Sequence, residues 1–166
     1  MSNSLAEFFF AKALNCAKES NLTAALRYSA IALGLTPTDE KIWRLAGLCY
    51  YQMGNYEMAG YCFGHLSNKR EDWQAAVHKK MADMKMVTSL AEHGEYKKAV
   101  NFLAAAEKTI GQWSYLGCLY AILGQKEKAA DCFVTVLKMD HGNVDALAYL
   151  SGLERMKKRK WWQIWQ

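Results

Sequence analysis

The side chains with reactive potential are five cysteines, Cys16, Cys49, Cys62, Cys118 and Cys132, and four histidines, His65, His78, His93 and His141. A thiolate nucleophile needs a base beside it, and a zinc site needs a Cys-x-x-Cys pair or two histidines about one helical turn apart. Neither spacing occurs, since no two cysteines are three apart and no two histidines are four apart. Cys62-Phe63 and Cys132-Phe133 repeat one dipeptide at a distance of seventy residues, which points to packing. No Gly-x-Gly-x-x-Gly, phosphate loop or Gly-x-Ser-x-Gly is present, and Asp83, Glu92 and Glu95 read as solvated charge on helix surfaces. No catalytic residue, metal site or cofactor is expected, and no small-molecule substrate.

What must position any binding residues is a set of helices. The 166 residues are 52% hydrophobic, with one proline, Pro37, and no Ser/Gly-rich linker, so residues 1–166 read as a single domain. Good helix formers dominate and strand-period alternation is missing, so the fold class is all-α. Met1 to Glu7 shows no secretion signal, and no apolar run reaches the roughly 20 residues that span a bilayer. With an odd number of cysteines these features place the chain in the cytoplasm.

The chain copies itself. Trp43, Ala46, Gly47, Tyr50, Gly54, Ala59, Phe63 and Leu66 match Trp113, Leu116, Gly117, Tyr120, Gly124, Ala129, Phe133 and Val136 at the same offsets, seventy residues on. In a helix starting near Glu40, residues 43, 46, 47 and 50 share one face. Gly47 and Gly117, lacking a side chain, let a second antiparallel helix come close, against Ala59 and Ala129, with Phe63 and Phe133 reaching back across the seam. Gly54-Asn55 and Gly124-Gln125 break the helices.

Seventy is two periods of thirty-five, and the pattern resembles the tetratricopeptide repeat family, whose unit is a helix, a turn and a helix of about 34 residues. The resemblance implies a right-handed α-solenoid of about four antiparallel helix pairs with a C-terminal capping helix.

In chain order, the first unit is degenerate, with Phe9, Ala13 and Ala25 in the tryptophan, glycine and alanine positions. Its helices are expected over 4–18 and 23–33, stopping at Gly34 ahead of Pro37, and Thr38 or Asp39 is the N-cap of the next. The third unit has Asp83 and Val87 in the tryptophan and glycine positions, with helices over 72–92 and 96–106. Asn143 caps a final helix whose apolar face carries Val144, Leu147, Leu150 and Leu153.

The resemblance further implies a protein-binding scaffold whose first helices line a concave groove. Its inward positions are Phe10 and Leu14; Lys41, Arg44, Leu48 and Tyr51; Met81, Met84, Lys85 and Thr88; then Ser114, Cys118 and Ile122. Methionine adapts to irregular partners, and this strip suits an extended or helical peptide segment of another protein, as an adapter or chaperone does. The family's clamp for C-terminal carboxylates needs lysine, asparagine and arginine where this chain has Phe10, Leu14, Leu48, Met84 and Thr88, so that mode does not fit. In size and groove character the chain also resembles the small chaperones of bacterial type III secretion translocators.

The net charge of +5 sits in the tail. Arg155, Lys157, Lys158, Arg159 and Lys160 precede Trp161, Trp162, Ile164 and Trp165, no acid follows Glu154, and the remaining 16 basic residues balance the 16 acidic ones. Residues 155–166 therefore suit an anionic membrane surface, a protein contact or self-association, with nucleic acid ranked lower, unless they simply cover the last repeat.

Overall fold

The computed structural model describes residues 2–67 and 71–164, with side chains for 4–67 and 72–155. Among the described residues there are helices and no strand: α1 (Ser2–Lys18), α2 (Leu22–Leu35), α3 (Glu40–Met53), α4 (Tyr56–Gly64), α5 (Glu71–Glu92), α6 (Tyr96–Ala104), α7 (Ile110–Ile122), α8 (Lys126–Met139) and α9 (Val144–Ile164). They form four consecutive pairs and a closing helix, as the repeat implies. Each of the last three pairs turns on a glycine in the left-handed region, Gly54, Gly94 and Gly124, with φ of 85°, 75° and 74°.

Side-chain caps fix several of the helix starts. Asp39 accepts from the Lys41 N–H at 2.9 Å, and Asn143 from the Ala146 N–H at 3.0 Å, both where the sequence places them. The α2 boundaries differ from expectation. Asn21 is the cap, accepting from the Ala24 N–H at 3.1 Å, so the helix begins before Thr23. It also runs through Gly34 to Leu35, because the restriction imposed by Pro37 falls on Thr36 alone. The α6 helix ends two residues early, at Ala104. Thr109 and Gln112 close a reciprocal capping box at the start of α7, a signal legible in the sequence but not drawn from it.

The seams between paired helices use glycine differently from the expectation of small facing small. A methyl on Gly47 would lie 2.5 Å from the Phe63 ring, and one on Gly117 2.9 Å from the Phe133 ring. The glycines thus receive aromatic rings, while Ala59 and Ala129 are buried beside them. In the third unit Val87 stands for the glycine and Leu103 for the phenylalanine, and both are buried: volume has moved across the seam. The tryptophans have separate duties. Trp43 is half-buried, donates from Nε1 to the Pro37 carbonyl at 2.7 Å and stacks on His65 at 4.0 Å. Trp113 packs against two of the three buried clusters, with the Lys108 Nζ 4.7 Å from its ring centre.

One feature of the packing has no counterpart in the repeat pattern. Besides packing on its chain neighbour α6, the start of α7 also meets the end of α3. Their backbones touch: a methyl on Gly111 would meet the Gly54 Cα at 2.6 Å and the Met53 carbonyl at 2.7 Å. The stack then curls until its ends meet. The His141 N–H donates to the Ser20 carbonyl at 2.9 Å, and the Leu22 N–H donates to the buried Asp140 carboxylate at 3.3 Å. Leu22, Ala25, Cys49, Ile110, Phe133, Val136 and Ala146, from the first, second and fourth pairs and α9, form one cluster.

Candidate functional site

An open hollow lies where the α3–α4 turn faces α5. It is a concavity of about 500 Å³, walled by Met53 to Glu57 and by Met81 and Met84. Gly54 must take its positive φ for the turn to form this wall, and Asn55 fixes the start of α4 by accepting from the Met58 N–H at 3.2 Å. Tyr56, buried at its back, shares a 2.7 Å hydroxyl–hydroxyl hydrogen bond with Thr109. Beside it Lys80 donates to the Glu107 carbonyl at 2.6 Å and to the Gln112 side chain at 3.0 Å, tying α5 to the start of α7. The hollow is therefore held from three helices by polar bonds, while Met81, exposed at its wall, remains free to adjust.

Two of the expected groove residues, Met81 and Met84, wall this concavity, and Met84, Leu48 and Tyr51 pack against one cluster around Tyr56, Ala59 and Phe63. Leu48 and Tyr51 are thus partly core: Tyr51 sets its ring against Tyr56 at 5.6 Å. Met81 is 37% exposed, and Lys41, Arg44 and Lys85 are exposed. Thr88, half-buried, turns its hydroxyl to the Lys85 carbonyl at 3.0 Å. Phe10 and Leu14 on α1, half-buried, and Cys118 and Ile122 on α7, exposed, are not among the walls. The turn residues Met53 to Glu57 were missed as a binding surface because Gly54-Asn55 signals only a break between helices; that a second pair stands opposite is a tertiary fact. The side chains of Lys157, Lys158, Arg159, Lys160, Trp161, Trp162 and Trp165 lie outside the described residues.

Chemistry at Cys49, Cys62, Cys118 and Cys132 is suppressed. Burial pushes the Cys49 thiol up to about 11, with Asp140 and Cys62 adding to it, and burial alone raises Cys62 to about 11. Cys118 is exposed, yet burial on one side and Asp145 hold its thiol above the ordinary value. Iodoacetamide at neutral pH should therefore modify Cys118 before Cys49, Cys62 or Cys132, and more slowly than a free cysteine; mass mapping that finds Cys49 or Cys62 labelled first would contradict the packing. Among the described residues no group of three or more His, Cys, Asp or Glu is gathered as a metal ion would require. No described helix is long and apolar enough to cross a membrane.

Successive helix pairs, the glycine-to-phenylalanine seam occurring twice, and turns on left-handed glycines together decide the fold. It is tetratricopeptide-like. No protein-family model matches the chain, and no curated protein does. Two solved structures similar to it are tetratricopeptide protein YrrB, described as having an unusual peptide-binding site, and a double mutant named MamA RS-1 ArsTM. YrrB is 16% identical, with 86% of this chain and 90% of that one covered and a TM-score of 0.39. The MamA mutant is 21% identical, with 93% and 84% covered and a TM-score of 0.37. In this tetratricopeptide-like stack the methionine-walled concavity lies between the second and third pairs.

Proposed function

We propose that the protein is a non-enzymatic interaction module that holds a peptide segment of a partner protein against the face made by Leu48, Tyr51, Met81 and Met84. The observation that carries this reading is the concavity itself: an open hollow of about 500 Å³, with flexible thioethers on a rigid, hydrogen-bonded frame. Lys41 and Arg44, exposed on the same helix as Leu48 and Tyr51, extend the face with positive charge toward the α3 N-terminus. An adapter or chaperone-like role fits such a face, the holding of a secreted translocator being one form of it.

The test is capture from the native source with full-length protein against Met81→Asn. Met81 is exposed, so the melting temperature should stay within a degree or two, while capture falls about tenfold, equivalent to about 1.4 kcal/mol. Leu48→Ala and Tyr51→Ala should lower binding and stability together, since both side chains are half-buried in the cluster. Undiminished capture by Met81→Asn would move the binding surface elsewhere.

A further inference from the structure

The first helix pair carries a surface that the concavity does not use. On α1, Leu5, Phe8, Phe9 and Lys12 follow the i, i+3, i+4, i+7 spacing of one helix face, and on α2 Ala24, Arg27, Tyr28 and Ile31 follow the same spacing. Aromatic rings join the two faces. Phe9 stacks on Tyr28 with ring centres 6.2 Å apart and an interplanar angle of 21°, and Phe8 meets Phe9 edge-on at 5.4 Å. Beside them Ala24, Arg27, Tyr28 and Ile31 line a hollow of about 130 Å³. Large apolar side chains of both faces stay half in water: Leu5, Phe8 and Ile31 are 47%, 51% and 45% exposed, while the same helices bury Ala6, Ala13, Ala25 and Ala32.

The charge of this groove has one sign. Lys12 Nζ lies 4.8 Å from the centre of the Phe8 ring and 5.5 Å from that of Tyr28, so the ammonium bridges the two helices, and Arg27, exposed, lines the hollow. Among the described residues neither cation forms an ion pair. The α2 helix has no acid, and the acid of α1, Glu7, stands three or four residues from none of Leu5, Phe8, Phe9 and Lys12, so it lies off their face. What completes such a surface is a carboxylate next to a large apolar side chain: the guanidinium fork takes the carboxylate, and the hollow with the Phe8 ring takes the apolar group. Two copies meeting through this face would set Lys12 and Arg27 against the same cations, which disfavours a self-contact. A recess floored by fixed rings suits a chain segment better than a flat lipid surface. We propose that the α1–α2 groove docks a segment of a partner protein in which aspartate or glutamate stands beside aromatic or aliphatic residues. It is a second interaction surface, sharing no residue with the Met81 and Met84 wall.

The test is selection of a phage-displayed random-peptide library on the full-length chain, followed by fluorescence anisotropy of the enriched peptides against full-length variants. Enriched sequences should place an acid beside an aromatic or aliphatic residue, and their binding should weaken with added salt, because screening acts on exposed charges. Arg27→Glu should weaken that binding about tenfold with the melting temperature unchanged, and Ile31→Asn should weaken it as well. Arg27→Gln, which removes the charge without reversing it, keeps the comparison open should the reversal disturb folding. A peptide remade with lysine in place of its acids should bind Arg27→Glu more tightly than it binds the natural chain. Met81→Asn should leave all of this unchanged. No enrichment, enriched peptides without acids, or affinities that neither Arg27→Glu nor Arg27→Gln moves would each overturn the proposal. Loss of binding with Met81→Asn alone would also overturn it, seating the peptides in the concavity and leaving the first interaction reading intact. So would attachment to phosphatidylserine vesicles through Arg27 with no acidic peptide enriched, which makes the face a lipid contact, or self-association in sedimentation that Arg27→Glu abolishes, which makes it a contact between copies.

Discussion

Gly47→Leu should lower the unfolding free energy by about 3 kcal/mol or more, because even the first added carbon falls 2.5 Å from the Phe63 ring in a buried seam. Gly117→Leu should cost somewhat less, its nearest contact being 2.9 Å from Phe133. Third-unit packing supplies a built-in control. There valine and leucine occupy the two positions held by glycine and phenylalanine elsewhere, so Gly47→Val combined with Phe63→Leu should recover much of what Gly47→Val alone loses. Urea denaturation of the two single variants and the double variant decides it. Additive losses would mean that the ring and the glycine do not share one space.

The second large effect has an unusual sign. Glycine to alanine within a helix ordinarily stabilises by about 0.5–1 kcal/mol, through backbone entropy. Gly152→Ala, with nothing within 4 Å of the new methyl, should behave in that way. Gly111→Ala should destabilise by about 1–3 kcal/mol, since its methyl meets the Gly54 Cα and the Met53 carbonyl at 2.6 and 2.7 Å. Backbone, unlike the end of a side chain, has little room to yield. The contact between α3 and α7 must open, and with it the wall of the concavity at Met53 and Gly54. Thermal melts of the two alanine variants that shift in the same direction would show that α7 does not rest on α3.

Much of the fold was legible because its signals are local. Helix boundaries at Glu40, Tyr96 and Val144 follow from Asp39, the Gly94 turn and Asn143, residues whose side chains or backbone freedom act within a few positions. The antiparallel pairing followed from a glycine and a phenylalanine sixteen residues apart, repeated seventy residues later, since chemistry that recurs at one spacing serves one packing role. The misreadings were of range. Asn21 and Thr23 are both competent caps, and only the course of the chain toward Asp140 and His141 makes Asn21 the one used.

The candidate site was legible in part. Met81, Met84, Leu48 and Tyr51 were marked by their register on the first helices; Met81 and Met84 share the wall of the hollow, while Leu48, Tyr51 and Met84 share one cluster.

The amino-acid sequence by itself determined the all-helical class, the pairing of neighbouring helices and the glycine turns between them, because hydrophobic period, capping and turn chemistry act over at most one repeat. Tertiary structure decided where α7 rests and how Ser20 and Leu22 meet His141 and Asp140. Those outcomes depend on the sum of small angles between successive pairs. Such a sum is set by every interface at once and is written in no single stretch of the chain.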